Sequence, residues 1–191
     1  MASGIRTKTL VLLTTAAVLG GGLFLFEQQL PSPNSSDTQT QKPLFHFQEA
    51  DVAALKITAP DYSLNLKKLA TGNWVIDREK QTPAEEGAVV FLLNLLATGQ
   101  RDRSFEVPTE RAGDYGLAPP MATVDITLQD GQRHRLRLGD TTFDGLKLYA
   151  EIDPPAAPRE KMTVTLVPLD LKNALQRPLQ EWERRQPPAA N

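Results

Sequence analysis

TVDITLQDGQRHRLRL, Thr123 to Leu138, is the stretch on which the fold turns. Apolar and polar residues alternate on both sides of Asp130-Gly131, the pattern of two half-buried strands joined by a tight turn. A two-residue turn at Asp130-Gly131 would set Ile126 and Leu128 opposite Arg135 and Arg133, apolar against charged. A three-residue loop, Gln129 to Gly131, pairs Val124 with Leu136 and Asp125 with Arg135 instead, and gives Gly131 the left-handed last position. The hairpin then has one apolar and one charged face, which predicts an antiparallel sheet covered on one side.

The same parity argument extends upstream. Leu55 and Ile57 meet Leu66 and Leu64 if the loop between them has an even number of residues. Because Pro60 cannot adopt positive φ, a four-residue loop from Ala59 to Tyr62 is expected. Ala70-Thr71-Gly72 predicts a three-residue loop into a strand holding Trp74 and Ile76, with Gly72 in the role of Gly131. Thr82-Pro83-Ala84-Glu85 predicts a helix from Pro83 to Thr98, with Thr82 as N-cap, Glu85 completing a capping box and Gly99 as the stop. Val89, Leu92, Leu93 and Leu96 form its sheet-facing side. Phe91 and Leu95 point away from that side. They are the candidate contact surface, to be covered by the rest of the domain or by another protein.

Further on, Arg101 to Val107 is expected to be a strand and Thr109 to Tyr115 a short helix stopped by Gly116. Leu148 to Ile152 and Thr163 to Val167 are expected strands. Asp170 caps a predicted helix to about Gln176, and a last turn carries Trp182. Strands followed by a helix, twice over, give an α+β domain of antiparallel sheets built from two sheet-and-helix repeats.

In front of this domain stands Thr9 to Phe26, eighteen residues without a charge. A helix of that length is ~27 Å long and crosses a bilayer core. Arg6 and Lys8 precede it and Glu27 follows it, so residues 1–8 are expected in the cytoplasm and all that follows outside it. A cleaved signal peptide is the rival reading. The apolar run continues through Leu23 to Phe26, past the small residues around Gly20, which favours an uncleaved transmembrane anchor. Residues 27–43, rich in Pro, Ser, Gln and Thr, are expected to form a flexible tether. The folded domain is placed at 44–183 and a disordered tail at 184–191.

Composition narrows the chemistry. The 191 residues contain no cysteine, which removes disulfides, thiol catalysis and thiolate metal sites. Net charge is −2, and −4 once Arg6 and Lys8 are set aside, so nucleic acid is not an expected partner. Arg133, Arg135 and Arg137 share a strand face, read as solvated. His46 and His134, the only histidines, stand in no nucleophile motif, and His134 is expected to face inward beside Ile126. Asp140 and Asp144 could offer oxygen ligands to Ca²⁺, at a spacing that matches no known binding loop. Glu49/Asp51, Glu85/Glu86 and Glu151/Asp153 are acidic pairs of a kind that 23 acidic residues produce by chance. Tyr115-Gly116-Leu117 fits a helix stop or a pocket wall, and Trp74 and Trp182 fit the core.

Several short pieces carry a resemblance. They are Gly72-Asn73-Trp74-Val75-Ile76, Pro83-Ala84-Glu85, Tyr115-Gly116-Leu117 with Pro120, Asp130-Gly131, Leu136-Arg137-Leu138-Gly139, Gly145, and Tyr149-Ala150. In this order and spacing, over Phe45 to Trp182, the chain resembles the domain-of-unknown-function 4340 family of bacterial membrane-anchored proteins. Glu85 stands where that family more often has Asp. The resemblance implies no catalytic residues and no cofactor. It implies kinship with accessory parts of membrane transport systems. The chain is therefore expected to be a non-enzymatic accessory or scaffolding protein of the bacterial cytoplasmic membrane, with no metal or cofactor, whose partners are the bilayer and other envelope proteins. A binding module for a small molecule or cell-wall fragment is the alternative.

Overall fold

The computed structural model describes residues 42–184. The expected anchor at 9–26, most of the tether and the tail beyond Arg184 lie outside the described residues. Among the described residues no helix is long and apolar enough to cross a membrane.

The chain enters at β1 (Lys42–Pro43), passes a 3-10 turn (Glu49–Asp51) and forms a meander of β2 (Val52–Ala59), β3 (Tyr62–Lys68) and β4 (Trp74–Ile76). A short β5 (Thr82–Pro83) leads into helix α1 (Glu86–Thr98), followed by β6 (Gln100–Arg101), β7 (Ser104–Pro108) and a 3-10 segment (Thr109–Tyr115). A second meander comprises β8 (Ala122–Leu128), β9 (Arg133–Thr141), β10 (Lys147–Ile152) and β11 (Lys161–Pro168). Helix α2 (Asp170–Leu175) and a 3-10 turn (Leu179–Trp182) close the described chain. The fold is α+β, mostly antiparallel sheet with few helices.

The expected plural sheets are one main sheet. Among the described residues nine strands run in the order β5-β4-β3-β2-β8-β9-β10-β11-β7, and only β1 and β6 pair separately. The two meanders meet at β2 and β8, antiparallel, with Leu55 opposite Ile126 and Ile57 opposite Val124. Joining the halves lets one apolar face run across both, so that Leu55, Ile57, Leu64, Leu66, Val124, Ile126, Leu136 and Leu138 belong to one core. Helices α1 and α2 and the Trp182 turn bury their apolar residues in this same core.

The hairpin registers follow side-chain parity. Val124 pairs with Leu136 and Asp125 with Arg135, and Gly131 has φ +87°. Lys68 pairs with Trp74, and Gly72 has φ +89°. Leu55 pairs with Leu66 and Ile57 with Leu64, but their loop is shorter than expected. Ala59 pairs with Tyr62, leaving only Pro60-Asp61 between the strands. Neither has positive φ. Pro60 sits in a turn with negative φ, where proline is pre-set rather than forbidden.

Helix α1 starts later than the capping signal suggested. Thr82 and Pro83 are paired to β4, the Ala84 N–H is held by the Trp74 carbonyl, and Glu85 is the N-cap without a side-chain cap bond. The strand pairing removes Thr82 from capping range. Gly99 ends the helix by close packing rather than by a left-handed cap: its φ is −56°, and a Cβ there would lie 2.4 Å from the Leu95 carbonyl oxygen and 2.9 Å from Leu44. Helix α2 is likewise capped by Leu169, not Asp170.

The domain bounds shift slightly. Lys42 and Pro43, assigned to the tether, pair with Arg101 and Gln100. Arg184, assigned to the tail, donates its N–H to the Pro83 carbonyl at 3.0 Å. The expected strand from Arg101 to Val107 is broken into β6 and β7.

Candidate functional site

Alternation that buries one face of β3, β2, β8 and β9 turns the other outward. Lys56, Asn65, Lys67, Asp125, Thr127 and Arg135 line that face. The helices pack on the opposite side, and the twisted strands leave a shallow depression of about 680 Å³. It is lined by four outward cationic side chains, Lys56, Lys67, Arg133 and Arg135, and three carboxylates, Asp77, Asp125 and Asp153, whereas Lys68 at its border turns its ammonium to the other face, over the Trp74 ring. The depression is therefore positive on a chain whose net charge is −2.

Two of the carboxylates are already engaged. The Arg135 guanidinium donates to Asp125, its cross-strand partner, and this bond raises the arginine pKa further above its ordinary value. Asp153 accepts the Arg135 backbone N–H at 2.8 Å and contacts His134 Nδ1 at 2.9 Å. Asp153 is the one non-glycine residue among those described with positive φ, at 48°. Its two side-chain contacts and its own N–H bond to the Arg135 carbonyl hold that conformation in place. Lys56, Lys67 and Arg133 make no ion pair among the described residues, so their charge is available to an anion.

The His134–Asp153 contact resembles the base-orienting half of a hydrolase triad. The ring faces inward as expected and packs against Phe45 and Phe47, with centroids 5.1 and 6.1 Å away. Its neighbours are therefore aromatic carbons, and it clamps the entering chain to the sheet. His46, between those two phenylalanines, is exposed.

The other sequence-derived candidates are dispersed. Asp144 accepts from the Thr142 hydroxyl at 2.6 Å and the Leu146 N–H at 3.0 Å, which holds its carboxyl below the usual aspartate range. Asp140 packs against Gly116 instead. Among the described residues no group of three metal-ligating side chains is assembled. Asp51 caps its own turn through the Gln48 N–H at 2.9 Å, and Glu86 lies 3.6 Å from Arg184. Trp74 and Trp182 are core residues. On α1, Val89, Leu92, Leu93 and Leu96 are fully buried and Leu95 is half-buried against the core, whereas Phe91 remains 42 % exposed.

Glu151 and Asp153 part company. Glu151 is 2 % exposed, on the sheet face opposite the main core, between the guanidinium groups of Arg137 and Arg159. Arg137 also donates to the Leu117 carbonyl, and burial lowers its pKa. Arg137 is thus no solvated companion of Arg133 and Arg135. Alternation placed all three on one face; it carried no sign that the segment after β7 folds over that face at Arg137. There Tyr115 packs edge-on against Tyr149, and Leu117 joins a second small core with Met162 and Val164.

Two features gave no signal in the sequence reading. One is the pairing of Lys56 and Lys67 with the arginine face, which follows from parity once β2 is known to neighbour β8. The other is the β9–β10 loop, where Phe143 is fully exposed and Leu146 is 68 % exposed.

The pieces that carried the family resemblance meet one another. A Cβ on Gly139 would lie 2.0 Å from the Tyr115 carbonyl oxygen, and one on Gly116 would lie 2.4 Å from Asp140. Tyr115-Gly116-Leu117 therefore lies directly on Leu138-Gly139-Asp140, and Tyr149 supports it. Neither a curated protein nor a solved structure matches the chain. A family model matches residues 74–187, from β4 through the last described turn, so β2 and β3 lie ahead of the match. With the matched segment covering more than half of its length, the chain belongs to the family described as Domain of unknown function (DUF4340).

Proposed function

We propose that this chain is a non-enzymatic accessory protein of the bacterial envelope. It is anchored in the cytoplasmic membrane by residues 9–26, with its N-terminus inside and its sheet domain outside, where the domain docks on other envelope or membrane proteins of a transport-type complex. The observation that supports this reading is the uncharged run of eighteen residues behind Arg6 and Lys8, joined by a short polar segment to an α+β domain. His134 and most of the domain's acidic candidates serve as packing and turn residues, which fits an adaptor better than a catalyst. The test is a reporter fused after Asn191. It should be active only outside the cytoplasm, and the fusion should sediment with membranes. Cytoplasmic activity would overturn the topology, and a soluble fusion would show the segment to be cleaved.

The positive depression on the sheet favours a second reading, a module that binds an anionic small molecule or cell-wall fragment. Purification from membranes followed by mass spectrometry separates the two. An adaptor brings stoichiometric proteins with it, and a binding module brings a small anionic compound that Lys56→Glu with Lys67→Glu abolishes.

A further inference from the structure

We infer that the tip of the β9–β10 hairpin is a second membrane contact, with Phe143 and Leu146 seated at the boundary between lipid headgroups and acyl chains. The inference rests on the anchored reading above and adds a surface to it. The tip is a braced turn, not a loose loop. Thr142 and Lys147 close it through the Thr142 N–H on the Lys147 carbonyl at 2.9 Å and the Lys147 N–H on the Thr142 hydroxyl at 3.0 Å. Asp144 bridges the Thr142 hydroxyl and the Leu146 N–H, and Gly145 at φ +74° completes the reversal. Of the four residues between Thr142 and Lys147, two are large, apolar and exposed. A scattered exposed leucine needs no explanation, but two apolar side chains held outward by a hydrogen-bonded turn form a preorganised contact.

The bilayer is the occupant because of where the described chain begins. Lys42 pairs with Arg101, and the next residue, Asp102, lies 3.9 Å from the Lys147 ammonium that closes the hairpin loop. The segment leading back to the anchor therefore leaves the domain beside this hairpin. Fifteen residues separate Phe26 from Lys42. Fully extended, the sixteen steps from Phe26 to Lys42 reach no further than ~58 Å, so the flank that carries the tip is held within that distance of the lipid surface. Lys147 and Lys172, whose ammonium lies 3.3 Å from the Thr141 hydroxyl, can reach headgroups from the base of the tip. Asp102 beside Lys147 and Asp140 and Asp144 on the same hairpin offset them, so the contact stands on Phe143 and Leu146. The charge of Asp144 keeps the tip at headgroup depth.

The absence of cysteine makes the test direct. The full chain carrying Phe143→Cys, labelled with a polarity-sensitive thiol dye, is reconstituted in phosphatidylethanolamine and phosphatidylglycerol vesicles with nitroxide lipids. Asp130→Cys, on a different hairpin turn, is the control. The expected result is blue-shifted emission at position 143, quenched several-fold by a nitroxide near the headgroup and little by one near the bilayer centre, with no change at position 130. Position 143 quenched no more than position 130, in a chain that floats with the vesicles, overturns the hairpin contact and leaves the anchor standing. A blue shift without quenching means a protein occupant and overturns it equally. A chain that does not float removes the anchored reading and this one together.

Discussion

Glycine at two positions separates a turn requirement from a packing requirement. Gly131 has positive φ with open space around it, so Gly131→Ala meets only the left-handed penalty of about 1 kcal/mol. Gly139 lies in a strand, and there the added Cβ would lie 2.0 Å from the Tyr115 carbonyl oxygen. Backbone cannot yield as a flexible side chain does, so Gly139→Ala is expected to cost about 2–3 kcal/mol, the range of an overpacked core. Urea unfolding of the two variants should show the larger fall in midpoint for Gly139→Ala. Equal falls would mean that the Tyr115 segment does not lie on β9. Of the two glycines, only Gly131 announced its role in the sequence. A glycine required by parity of the flanking strands is readable locally, whereas one required by a segment more than twenty residues away is not.

At the scale of elements, the registers were legible because side-chain parity leaves few choices once one face must be buried. Val124–Leu136 and Leu55–Leu66 follow from the apolar pattern alone. What failed were the places where a local preference met a tertiary partner. Thr82 carried a capping signal, yet β4 recruited it as a strand. Pro60 excluded one kind of two-residue turn, and the chain used another. Helix α1 shows the same limit on its outer side. A helical wheel gave Phe91 and Leu95 one shared role, but the fold half-buries Leu95 and leaves Phe91 at the surface. Leu95→Asp is therefore expected to lose about 2–4 kcal/mol, through lost packing and a charge against the core. Phe91→Asp should change stability by less than about 1 kcal/mol. Thermal melts of the two single variants test this. A comparable loss for Phe91→Asp would place that ring under cover. The candidate site was partly legible: alternation put Arg133 and Arg135 on one face, but which cations stay unpaired depends on strand order, which no local pattern encodes.

For the molecule as a whole, the joining of two meanders at β2 and β8 sets the smallest unit that can fold. The family match begins at Trp74 and omits β2 and β3. Without them β8 would keep β9 but lose β2, its other partner, and Val124, Ile126 and the sheet-facing side of α1 would lose Leu55, Ile57, Leu64 and Leu66. A fragment of residues 74–191 is expected to lack a cooperative melting transition by circular dichroism, while residues 42–191 should show one. A cooperative transition in the shorter fragment would mean that the second meander is a domain in its own right.

Both margins of the main sheet are blunted. On one side β5 has two residues, one of them Pro83, and the pairing of Ala84 with Glu183 and the Arg184 bond to Pro83 lie along it. On the other, β7 carries Glu106 and ends at Pro108, which has no N–H to offer. A proline and a charge on an outer strand are the usual guards against a neighbouring chain adding itself as one more strand. Copies of this protein crowded side by side thus have poor templates for zipping into a ribbon. Crowding that would polymerise a protein with bare sheet margins meets no such template at either margin of this sheet.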